Sequence, residues 1–153
     1  MEEFKIDLFE DKTGIKFPKF YTLSKYECEF YYNKFCNIFK YKKGNNENFI
    51  FEHIQNHGFV FPCNATSDAF SMRLLMDKTI EYVYVVWDEF QTIDRFIFED
   101  INNYFNDIWY SITDDILMFN EDLKIIFLIR HDGVIFYNVS DCNINLHNVI
   151  NGV

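Results

Sequence analysis

Glu81-Tyr82-Val83-Tyr84-Val85-Val86-Trp87 is where the chain changes period. β-branched and aromatic residues follow one another there at a density that suits a pleated strand. Downstream, Ile116-Leu117-Met118-Phe119, the turn Asn120-Glu121-Asp122 and the run from Lys124 to Ile129 read as two further strands. His131-Asp132-Gly133 is then a turn, and Val134 to Val139 closes a meander, because Asp-Gly between apolar runs is a strong hairpin signal. Between the first strand and the rest, Asp88 to Asp94 reads as a loop. Glu99 to Tyr110 reads as a helix with Ile101, Tyr104 or Phe105, and Ile108 along one stripe.

Upstream of Ile80 the pattern is helical. Ser24-Lys25-Tyr26-Glu27 is a capping box, opening a helix to about Lys40 with Tyr26, Phe30, Phe35 or Cys36, and Phe39 near one face. Gly44-Asn45-Asn46 breaks it. A second helix is expected from Glu47 to Asn56, stopped by Gly58, before Phe59-Val60-Phe61 runs into Pro62. Ser67 or Asp68 caps a third, through Lys78. In residues 1–22, Phe4, Ile6 and Leu8 alternate as a short strand would, and Gly14 and Pro18 interrupt anything longer. The polar tail from Asp141 is a last strand or frayed. The expected fold is therefore a single α+β domain over 1–153. Its N-terminal helices pack on one face of a C-terminal antiparallel β-meander with one inserted helix.

The charge of the chain is confined to the same region. Glu81 to Asp122 holds eleven acids against Arg95 alone, while acids and bases cancel elsewhere to leave a net charge of −10. Self-repulsion opposes such concentration, and solubility does not require it. Tyr82, Tyr84, Trp87, Phe90, Phe96, Phe98, Tyr104, Phe105, Trp109 and Tyr110 are interleaved with the acids. Acid mixed with bulky aromatics suits a surface that docks on something cationic and partly apolar, which points to a protein partner. The same balance argues against direct nucleic-acid binding, which needs a basic footprint. No apolar run is long enough for a bilayer. The opening Met1-Glu2-Glu3-Phe4-Lys5 lacks the basic and apolar regions of a signal peptide. A cytoplasmic location is expected, with Cys28, Cys36, Cys63 and Cys142 reduced.

Chemistry is harder to find. His53 and His57 share a helix face, but no glutamate lies beside the first and no spacing supplies a third ligand. Cys63 and Ser71 lack the tight glycine turns that present a nucleophile, and the five glycines are isolated. Asp88-Glu89, Glu99-Asp100 and Asp114-Asp115 are the carboxylate pairs an acid–base hydrolase would use, yet adjacent acids on a strand point to opposite faces. No catalytic residue, metal or cofactor is expected.

The segment Asp115 to Gly133, with its strand, acidic turn, strand and His-acid-Gly turn, resembles the C-terminal hairpin region of bacterial polymorphic-toxin immunity proteins. The resemblance is to those paired with contact-dependent growth inhibition toxins in particular. Lys124 and Ile125 stand where a tryptophan is common in that pattern. The resemblance implies a small cytosolic antitoxin without a catalytic site, which neutralises a cationic nuclease by imitating the charge of its substrate. It would do so across an interface of about 1,600 Å². On that reading the toxin-binding acids are Asp88, Glu89, Asp94, Glu99 and Asp100, then Asp114 and Asp115. Tyr84, Trp87 and Trp109 are the aromatic anchors, and His131 to Gly133 set turn geometry. The competing expectations are an acidic adaptor unrelated to toxins and a small metal-dependent hydrolase.

Overall fold

The computed structural model describes residues 1–41, 49–68, 70–76, 79–88, 90–110 and 113–139. The Gly44-Asn45-Asn46 break and the tail from Asp141 lie outside them. The fold is α+β: helices lead, and an antiparallel sheet with an inserted helix follows. The helices are α1 (Glu3–Thr13), α2 (Lys25–Ile38), α3 (Phe49–His57) and α4 (Phe98–Ile108). The strands are β1 (Phe20–Thr22), β2 (Phe59–Val60), β3 (Tyr82–Asp88), β4 (Thr92–Ile97), β5 (Ile116–Phe119), β6 (Ile125–Ile129) and β7 (Ile135–Val139). They form one sheet in the order β1-β4-β3-β5-β6-β7-β2, every pairing antiparallel. No helix among the described residues is long and apolar enough to cross a membrane.

Both faces of this sheet are covered, not one. Val83, Val85, Phe96, Ile116, Met118, Phe127, Ile129 and Ile135 point to the side where α1 contributes Phe9 and α4 contributes Ile101, Phe105 and Ile108. Tyr84, Val86, Ile93, Leu117, Phe119, Ile126, Leu128 and Phe136 point to the other, under Tyr31 and Phe35 of α2 and Ile50 and Ile54 of α3. The alternation follows from the two-residue period of a strand. Two buried faces explain why these strands read as continuous apolar runs instead of alternating ones.

Three further expectations are corrected. Residues 3–13 form a helix, not a strand: Lys5 and Phe9, four apart, make its buried side, and Gly14 at φ +69° ends it by donating to Glu10 O at 2.9 Å. The third helix reduces to one 3₁₀ turn, Met72–Leu74. There Ser71 Oγ accepts from Arg73 N and meets Asn102 Oδ1 at 3.0 Å. And Thr92 to Ile97 is a strand, hairpinned onto β3 in the register Tyr82↔Ile97 and Val83↔Phe96. Its central Asp94-Arg95 hides it from an apolar pattern, and both charges have dedicated partners, described below.

Elsewhere local chemistry decides. The α2 capping box forms in full, with Ser24 N donating to Glu27 Oε2 at 2.7 Å. Gly133, at φ +80°, closes the β6–β7 turn against Asn64, whose Oδ1 would lie 2.0 Å from any Cβ there. Ala65 N donates to Gly133 O at 2.8 Å, so the turn also anchors the loop after β2.

Candidate functional site

Among the described residues six acids of the segment have a partner within the molecule, and three of those partners lie in residues 1–12. The Met1 α-amino group lies 2.7 Å from Asp94 Oδ2, both fully buried, while the Thr22 hydroxyl donates to Oδ1 of the same carboxylate at 2.5 Å. Lys5 Nζ lies 2.6 Å from Asp114 Oδ2 and 4.5 Å above the Trp87 ring. Lys12 pairs with Asp107 at 2.7 Å. Glu99 is held by Arg73, Asp115 by His131 at 2.7 Å, and Asp122 by Lys124 at 2.9 Å. The hydrogen bond from Lys124 holds the Asp122 carboxyl below its ordinary value.

The expected anchors are structural. Tyr84 is buried and stacks on Phe119 at 5.2 Å, beside Tyr31. Burial, reinforced by its hydrogen bond with Tyr84, pushes the Tyr31 hydroxyl up. Trp109 is buried too, stacked on Phe105 and donating its indole N–H to Asp114 O at 2.9 Å. Trp87 is half-buried beneath Lys5. The structure therefore brings Trp87, Trp109 and Asp114 together, but as a support for Lys5. Asp94, paired with the Met1 α-amino group just before α1, is fully enclosed. Glu99 and Asp115 remain exposed and Asp100 partly so. Asp88 ends β3, and Glu89 lies outside the described residues.

His53 and His57 stack at 4.4 Å, His57 Nδ1 meets His53 O at 3.0 Å, and His53 also packs against Phe39 and Phe49. Burial first, and the neighbouring imidazole second, lower the His53 pKa from its ordinary value. Among the described residues no three His, Cys, Asp or Glu side chains cluster as metal ligands would. Cys28, Cys36 and Cys63 are free thiols.

Two exposed apolar surfaces take the place of the expected one. The first is the outer side of α1: Phe4 and Leu8, one turn apart, are 53% and 47% exposed, whereas Lys5, 3% exposed, joins Phe9 on the buried side. Glu2, Glu3, Asp7, Glu10 and Asp11 are also exposed, with Lys12 as the one cation on the helix's outer side. The second lies on the opposite face of the sheet, where the Arg95 guanidinium sits 5.2 Å from the Tyr21 ring and 4.9 Å from that of Tyr82. Ile97 lies beside Tyr82 in register, and Tyr26 and Phe30 of α2 are exposed instead of core. Arg95, the lone base of the acidic segment, was the signal for this surface. Nothing in the alternation of residues 4–8 signalled the first.

Comparison with family models, curated proteins and solved structures yields no match.

Proposed function

We propose that this protein is an immunity protein, a cytoplasmic antitoxin that neutralises a cognate bacterial toxin by stoichiometric binding, without catalysis or a cofactor. The toxin class is a cationic nuclease of the contact-dependent growth inhibition type, as the Asp115–Gly133 resemblance implies. One observation carries the reading: α1 buries a lysine and offers solvent an acid-flanked Phe4–Leu8 ridge. A helix turned this way forgoes apolar burial, and the ridge it exposes is complementary to a basic, partly apolar cleft. Long-range attraction would set the encounter rate, and the two apolar side chains the lifetime.

The test is co-expression with the product of the reading frame directly upstream. Wild-type protein is expected to relieve growth inhibition by that product. The triple variant Glu3→Lys/Asp7→Lys/Asp11→Lys is expected to stay folded, to associate at least about tenfold more slowly at low salt, and to fail to protect. An upstream product that is not toxic, or protection undiminished in the triple variant, would refute the assignment. Binding to a basic protein that is no toxin would favour the adaptor reading.

A further inference from the structure

The ridge of α1 does not end at Leu8. Phe4, Leu8 and Lys12 follow one another at steps of four, so they form one slanting line along the helix. The line ends on α4, where Lys12 Nζ lies 2.7 Å from Asp107 Oδ1. Two features of this pair stand out. Beside the exposed Glu3, Asp7, Glu10 and Asp11 of α1, its one exposed cation is the residue that covers Asp107. Asp107 itself lies in the last turn of α4, where the helix dipole disfavours an anion and no basic side chain of the same turn offsets it. A third observation lies within their electrostatic reach. The Tyr110 hydroxyl is buried with no hydrogen-bond partner among the described residues. Burial pushes its pKa up, Lys12 acts against that shift, and Asp114 and Asp107 add to it.

Resting on the immunity reading, we propose that Asp107 is the carboxylate that receives an arginine of the toxin, and that Lys12 stands in for that arginine in the free protein. The side chains of Lys12 and Asp107 are 59% and 29% exposed. A pair this open to water contributes little to stability, so it exchanges partners readily. The Lys5–Asp114 pair, at 4% and 12%, is too deeply enclosed to do so. Lysine brings a point charge to Asp107, whereas a guanidinium brings several donors in a planar fork. Those donors are enough for both carboxylate oxygens and for the unpartnered Tyr110 hydroxyl. The exchange makes the face selective. A basic protein that reaches the Phe4–Leu8 ridge without an arginine at this position meets an acid that is already satisfied.

The test measures association and dissociation rates of each variant with the product of the reading frame directly upstream. Asp107→Asn is expected to speed dissociation at least about tenfold, because a hydrogen-bonded charge pair at the centre of a contact sets its lifetime. Lys12→Met keeps most of the apolar stem and removes the charge. It is expected to slow dissociation, since the arginine then has no competitor for Asp107. For the same reason the effect of Asp107→Asn on dissociation is expected to be larger in the Lys12→Met background than in the wild type. A lysine that merely tuned the field of the face would change association alone, by the same factor with or without Asp107. Both substitutions fall on a pair open to water, so the variants are expected to keep the far-ultraviolet circular dichroism of the wild type. If the wild type binds a toxic product and Asp107→Asn dissociates no faster, or Lys12→Met no more slowly, the exchange is overturned and the immunity reading stands. A wild-type chain that binds no toxic product removes the immunity reading and the exchange with it.

Discussion

The two faces of the sheet are held by different forces. Under α2 and α3 the contacts are aromatic and aliphatic: Phe35 packs on Phe90 and Phe119, and Tyr31 on Tyr84. Under α1 and α4 there is an apolar core too, but the two buried charged side chains of the described residues, Lys5 and Asp94, both lie there. The difference teaches why α1 buries a lysine beside Phe9 and leaves Phe4 and Leu8 outside. Rotating it to bury Phe4 and Leu8 would bring Glu3, Asp7 and Asp11 towards Asp107 and Asp114, and take Lys5 and Lys12 away. The turn would also expel Phe9 from the core, so the roughly 1.5–3 kcal/mol gained by burying one such apolar side chain is offset by the loss of another and of the Lys5–Asp114 pair.

The sharpest way to break this contrast is Lys5→Ala. It leaves Asp114 without its cation in a site that is only 12% exposed, and is expected to cost about 3 kcal/mol in urea unfolding. Leu8→Ser, three residues along the same helix, removes a side chain that is already half in water and is expected to cost under about 1 kcal/mol. A larger loss from the leucine than from the lysine would dismiss the electrostatic account of α1.

The smallest effect belongs to the aromatic face. The folded-state pKa of His53 is depressed, so the unfolded chain takes up a proton more readily. By linkage, the contribution of His53 is complete above the ordinary imidazole value of about 6.5. It erodes as pH falls below that value and is gone once the folded-state pKa is passed. His53→Gln is expected to remove this shallow slope from the stability profile between neutral and mildly acidic pH. A slope unchanged in the variant would place its origin elsewhere.

Much of the sheet was legible. β3, β5, β6 and β7 announce themselves because both of their sides are buried, and the Ser24–Glu27 box fixes the start of α2 because capping is local chemistry. β4 was not legible, since Asp94 and Arg95 at its centre are satisfied by Met1, Thr22, Tyr21 and Tyr82, all distant in sequence. The same remoteness hid the candidate surfaces. The acids and aromatics of residues 81–122 were visible, but their outward or inward direction depends on which helices cover which face. Tyr84 and Trp109 turn inward because helices cover both faces, whereas Tyr21 and Tyr82 stay outside near the β1 edge of the sheet.

The bond between Lys5 and Asp114 spans 109 positions of sequence. Its length implies an order of assembly. An isolated helix of eleven residues is marginal in water, and contacts this distant in sequence form slowly. During synthesis α1 leaves the ribosome ahead of α4 and β5, yet Lys5 and Lys12 meet their carboxylates only once Asp107 and Asp114 have been added. Until then Lys5 and Lys12 stand without the carboxylates that pair with them in the folded chain. An element made early is one that settles late.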